Sequence, residues 1–164
     1  MSKNVRLSQS QIDERVKAIL KDYLDHPEAL KMKEFIQHGD VSTYEHVLAV
    51  ANRCYRVAYR RKNIDLKLLT VSAFLHDLYL YDWHDPDPSH KWHGFHHAER
   101  AAANAERIFS ISPKGKEAIR THMWPLTLTC VPKSREGWIL TMADKHVSAV
   151  ETVKGFISRS RKKT

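Results

Sequence analysis

The stretch that most constrains this chain is Leu68-Leu69-Thr70-Val71-Ser72-Ala73-Phe74-Leu75-His76-Asp77-Leu78. Its left half is apolar on nearly every side. Such a run reads as a segment buried all round, and its length favours helix over strand. An imidazole and a carboxylate then arrive together at its end. An unpartnered buried carboxylate is costly, so Asp77 needs a cation or several donors. A metal ion would supply the cation and His76 a neighbouring ligand. Adjacent helical residues point about 100° apart, yet side chains of different length still meet between them. For an isolated His-Asp pair the plainer account is a helix end where the two residues cap each other. The rest of the chain decides between the two.

Helix signals recur along the sequence. Ser8 with Gln11 three residues on has capping-box spacing, and Ile12, Val16, Ile19, Leu20, Tyr23 and Leu24 make the stripe that follows. Pro27 suits the first position of a second helix, which faces Leu30, Phe35 and Ile36 inward and ends at Gly39. Ser42-Thr43-Tyr44-Glu45 is a second capping box, before Val47, Val50, Ala51, Cys54, Val57 and Ala58. His46 lies at the margin of that inward face. A lone histidine there is more often a satisfied core residue than a ligand.

Residues from Tyr81 to His93 have loop composition but are loaded with aromatics and histidines, and such loops commonly carry function. A helix from about Gly94 to Phe109 places His97, Ala101, Asn104, Ala105 and Ile108 on one face. His96 instead shares its face with Arg100, Ala103 and Arg107. His97 is therefore expected to point inward and His96 outward. Ser112-Pro113 opens another helix, with Ala118, Ile119, His122 and Met123 inside and Pro125 ending it. A last helix has the stripe Ile139, Met142, Ala143, Val147 and Val150, with Asp144 on its edge and in need of a partner. No strand-period segment stands out. The expectation is an all-α, single-domain bundle of six or seven helices.

Bulk composition narrows the class. With 164 residues, 42% hydrophobic and 28% charged, the chain reads as one soluble globular domain. No apolar run is long enough to cross a bilayer, and no signal-peptide core follows Met1. Two cysteines, Cys54 and Cys130, make no disulfide framework. A cytoplasmic location is expected. The charge of +8 suits an anionic substrate and also general solubility. The basic tail Arg159-Ser160-Arg161-Lys162-Lys163 reads as a solvated terminus, and nucleic acid is not expected as a partner. A homodimer is left open.

Six polar residues remain: His46, His76, Asp77, His97, His122 and Asp144. They come from five helices, each at or near an inner face. Four neutral imidazoles and two carboxylates suit a first shell for one or two divalent metals. Six separately satisfied polar core residues are the alternative, and so many in an apolar setting argue against it.

The order His46 … His76-Asp77 … Asp144 resembles the motif of the HD-domain superfamily, metal-dependent phosphohydrolases with an all-α core. His97 and His122 resemble its six-ligand, binuclear version. The resemblance runs from about residue 38 to 151. It extends to Leu75–His84, Arg120–Leu126 and Ala143-Asp144-Lys145, which look like a small stand-alone bacterial subgroup. The Gly-Tyr-Pro signature of the cyclic-di-nucleotide branch is absent. The resemblance implies N-terminal helices over 1–37, an HD core over 38–153 and a basic tail over 154–164. It implies a first metal on His46, His76, Asp77 and Asp144, with Asp77 bridging to a second held by His97 and His122.

The metals expected are Mn, Fe, Ni, Zn or Mg. The activity implied is hydrolysis of a phosphate ester, a nucleotide or a small phosphomonoester or phosphodiester, by attack of a metal-activated hydroxide. Lys145 is a candidate to contact the phosphate, and reads equally as a solvated lysine. His93 is a candidate to protonate the leaving group or support the metal shell, against a loop histidine with no role. Arg100 is a weaker candidate for phosphate, and Trp83 and Trp92 for stacking on a base. Two other readings remain: a di-iron oxygenase of the same superfamily, and a non-catalytic nucleotide-binding module.

Overall fold

The computed structural model describes residues 6–38, 40–80 and 93–161. Among these, seven α-helices run in the order α1 (Gln9–Leu24), α2 (Pro27–Leu30), α3 (Thr43–Ala58), α4 (Leu66–Leu75), α5 (His93–Phe109), α6 (Pro113–Thr121) and α7 (Arg135–Arg161). A short antiparallel pair, β1 (Ile36–His38) and β2 (Val41–Ser42), lies between α2 and α3. The all-α expectation holds. No helix among the described residues is long and apolar enough to cross a membrane.

α4 is the centre. Every residue from Leu69 to Leu75 is buried. The helix packs on α1, α3, α5, α6 and α7, so no face of that stretch is left for water. Its two interior hydroxyls cost little. Thr70 donates to the Leu66 carbonyl at 2.6 Å, and Ser72 lies against Gly115 of α6. A Cβ at Gly115 would meet Ser72 Oγ at 3.1 Å, so glycine lets the two helices approach closely there.

The expected helix starts are built as read. Ser8 caps α1 and Ser42 caps α3, both through complete capping boxes. Ser42 Oγ accepts from Glu45 N at 3.3 Å, and Glu45 Oε2 accepts from Ser42 N at 3.0 Å. Because α3 carries His46 on its first turn, this cap also fixes part of the site. Ser42→Ala is expected to cost about 1 kcal/mol, a fall of roughly 2–4 °C in Tm for a chain of this size. An unchanged Tm in a thermal melt would show the cap to be idle.

Several expectations are corrected. The second helix stops at Leu30, gives way to a 3-10 turn over Lys31–Lys33, and then to β1. The Phe35 carbonyl accepts from Thr43 N at 2.8 Å, so it serves the start of α3 instead of a helix of its own. Ile36 is correspondingly exposed. The expected stop at Gly39 lies outside the described residues.

The inner stripe of α7 is Glu136, Ile139, Leu140, Ala143 and Asp144, with Val147 and Glu151 partly buried. Met142 and Val150 are on the outside, at 60% and 39% exposure. The helix is rotated because its start is pinned: buried Glu136 accepts from Asp65 N at 2.9 Å and pairs with Lys114 at 2.9 Å. That ties the beginnings of α4, α6 and α7 together. α6 ends at Thr121, so Pro125 lies beyond its end and does not terminate it. α7 also continues unbroken through 154, where the basic tail was expected to begin.

Candidate metal centre

Five helices deliver the six polar residues to one buried point. His46 stands on the first turn of α3. His76 is the C-cap of α4, with Asp77 immediately after it. His97 lies near the start of α5, His122 is the C-cap of α6, and Asp144 is in the first half of α7. None is more than 8% exposed. His96, its neighbour's opposite in the periodicity, is exposed.

Three of the imidazoles are oriented by the protein from behind. His46 Nδ1 meets Glu151 Oε2 at 2.8 Å. His76 Nδ1 lies 2.8 Å from the Ala73 carbonyl, and His122 Nδ1 2.7 Å from the Ile119 carbonyl. Both carbonyls belong to the last turn of a helix, where the regular backbone ladder runs out; that of Ile119 also accepts from His122 N at 3.3 Å. An acceptor at Nδ1 fixes the proton there and turns the Nε2 lone pair into the pocket. Helix ends therefore both satisfy their own carbonyls and aim the rings.

In the pocket, nitrogen and oxygen atoms crowd one another. His46 Nε2 is 3.2 Å and His76 Nε2 3.5 Å from Asp144 Oδ1. Asp77 Oδ2 is 3.5 Å from His76 Nε2 and 3.8 Å from His46 Nε2. Asp77 Oδ1 is 3.3 Å from His97 Nε2 and 3.7 Å from His122 Nε2. His97 Nε2 and His122 Nε2 approach to 3.2 Å. Ligands at about 2.1 Å from a tetrahedral or octahedral ion stand roughly 3.0–3.4 Å apart, so these spacings approach those of ligand shells.

The orphaned atoms make the same point. His76 Nε2 and Asp77 Oδ1 are buried and make no hydrogen bond. Two sets can each hold a cation: His46, His76 and Asp144, and His76, Asp77 and His122. The donors are imidazoles and carboxylates throughout, which suits divalent first-row metals. The residues present fit such an ion.

Electrostatics favours a cation as well. Burial pushes Asp77 up, but the imidazoles of His76, His97 and His122 outweigh it and hold the carboxyl well below the usual range. Asp144 is likewise driven down, against its own burial, by His46, His76 and His122. Burial lowers His46, yet Asp144, Glu151 and Asp77 together raise it to about 10. His122 has no such carboxylate bond and is pushed down to about 3 by burial and by His76 and His97. Two carboxylates thus stay ionised in a pocket that also keeps a neutral imidazole.

Two residues at the site were not anticipated. Gln37 of β1 donates to Asp77 Oδ2 at 2.7 Å and accepts from Tyr79 Oη at 2.6 Å. Tyr79 Oη also lies 3.0 Å from Thr43 Oγ1. Glu151 reaches His46 from two turns beyond Asp144. Its signal was available, since Asp144, Val147 and Glu151 recur at helical spacing.

The other candidates fare differently. Lys145 is half-buried and donates to the His122 carbonyl at 3.2 Å, with burial lowering its ammonium against the pull of Asp144. It borders the centre without reaching into it. Arg100 is exposed on α5. The side chain of His93, and Trp83 and Trp92 altogether, lie outside the described residues. Both cysteines are free, and Cys54 is fully buried in the core.

No curated protein and no solved structure matches the chain. A family model does: that of the HD domain, over residues 43–148, from the first residue of α3 to just past Asp144. That span holds all six pocket residues and most of the chain, and this chain belongs to the HD-domain family.

Proposed function

We propose that the chain is a metal-dependent phosphohydrolase acting on a small phosphate ester, a nucleotide or a simpler phosphomonoester or phosphodiester. One observation carries the reading. Four imidazoles and two carboxylates from five helices share a buried pocket, with His76 Nε2 and Asp77 Oδ1 left unbonded. His46, His76, Asp77 and Asp144 would hold a first ion, and Asp77, His97 and His122 a second.

Divalent cations at such a centre lower the pKa of a water and neutralise charge on phosphoryl oxygens. The protein's own part is orientation. Glu151, Ala73 and Ile119 hold three rings with Nε2 inward. Gln37 holds Asp77 Oδ2 and is itself held by Tyr79. Each restraint reduces the motion lost when substrate binds. The apolar bodies of α3 and α4 exclude water from behind the site, which strengthens every charge interaction within it.

The test is metal analysis of the purified protein with a phosphoesterase panel in Mn, Fe, Ni, Zn and Mg. Phosphate release that depends on metal supports the reading. Oxygen uptake by the iron form without phosphate release would move the chain to the oxygenase branch. Tight nucleotide binding without turnover would make it a regulatory module.

A paired substitution tests the second ion. His97→Ala should lower activity at least about tenfold, whereas exposed His96→Ala should leave it within twofold, since a lost ligand costs more than 1.4 kcal/mol. Equal losses would mean that α5 does not face the centre as described.

A further inference from the structure

Beyond Glu151, which separates it from buried His46, a groove runs between α3 and α7. It has a volume of about 400 Å³. Arg53 and Arg56 of α3 line one wall, and His146 and Lys154 of α7 the other. Glu151 is the single acid in the lining. Its carboxylate is turned inward, to His46 Nδ1 at 2.8 Å. It therefore does not neutralise the cations around it. Arg53, Arg56 and Lys154 make no ion pair and no hydrogen bond with any described residue.

Like charges lining one groove repel one another, and the single acid there is committed to His46. Arg53 and Arg56 are about one helical turn apart, so both side chains line the same groove. Guanidinium forks match phosphate oxygens bidentately, and Lys154 adds a point charge opposite them. Asn52 completes the wall. Its Nδ2 donates to the Leu48 carbonyl at 3.1 Å, which fixes the side chain.

We propose that the groove between α3 and α7 is a second ligand site, separate from the metal centre, that binds a small anion through its phosphate groups. The two sites lie on opposite edges of one imidazole. His46 Nε2 faces the metal pocket and Nδ1 faces Glu151, which forms part of the groove. The proposal does not depend on the hydrolase reading, because the groove contains none of the six pocket residues.

The test is titration calorimetry with inorganic pyrophosphate in excess EDTA, so that no phosphate is held through a metal. Wild-type protein is expected to bind. Arg53→Gln/Arg56→Gln should weaken binding at least about tenfold, since each charge-assisted bond is worth well over a factor of ten. A control pair of equal charge change, Arg15→Gln/Lys21→Gln on the exposed face of α1, should leave affinity within twofold. No heat of binding in the wild type, or equal weakening in both pairs, would overturn the site. If the groove variant does not fold by circular dichroism, Lys154→Gln alone decides: several-fold weakening supports the site and unchanged affinity overturns it.

Discussion

Asp77→Ala should remove metal binding and lower turnover by at least about three orders of magnitude, while helicity stays intact. The expectation follows from the position of one carboxylate. Its Oδ1 faces His97 and His122, and its Oδ2 faces His46 and His76. In the proposed centre both ions would therefore lose a ligand in a single substitution. Asp144 cannot substitute for it, because that side chain serves the His46 and His76 side. The fold does not depend on Asp77 in the same way. Asp77 follows α4 and, although buried, is not a member of the hydrophobic core cluster. Metal content by elemental analysis, activity and circular dichroism on the same sample check the prediction. Full activity in the variant would remove the model.

Glu151→Ala should weaken metal binding by about 10–100-fold, the usual effect of losing a carboxylate that supports a ligating histidine. Without Glu151, nothing described holds the proton on His46 Nδ1. The ring is then free to place the proton on Nε2, where it blocks coordination, or to rotate away. Glu151→Gln keeps an oxygen acceptor at the same reach and should restore most of the affinity. A merely structural role for Glu151 would not separate the two variants in this way. The readout is metal titration of protein stripped with chelator, and unchanged affinity in the alanine variant would contradict the assignment.

Gln37 shows the limit of what periodicity can reveal. It lies in a stretch that reads as the end of a helix, and its neighbours Phe35 and Ile36 look like an inner face. The chain instead turns to pair β1 with β2, because Phe35 has a better partner in Thr43 N and Gln37 has one in Asp77. Those partners are 8 and 40 residues away, so no local signal could announce them. Met142 and Val150 mislead for the same reason. They fit an apolar stripe by spacing, but buried Glu136 pins α7 in a rotation that turns them outward.

Sequence alone determined which side chains carry metal-ligating chemistry and the spacing at which they recur, because backbone geometry fixes the spacing of side chains around a helix whatever surrounds it. It could separate His97 from His96 and foresee that His76-Asp77 ends a buried helix. Only the tertiary structure decided that the pocket's nitrogen and oxygen atoms stand 3.2–3.8 Å from their neighbours, which ring nitrogen faces inward, and that Glu151 and Gln37 bond to His46 and Asp77. Those outcomes depend on where carbonyls and carboxylates distant in the chain come to rest, and packing alone sets that.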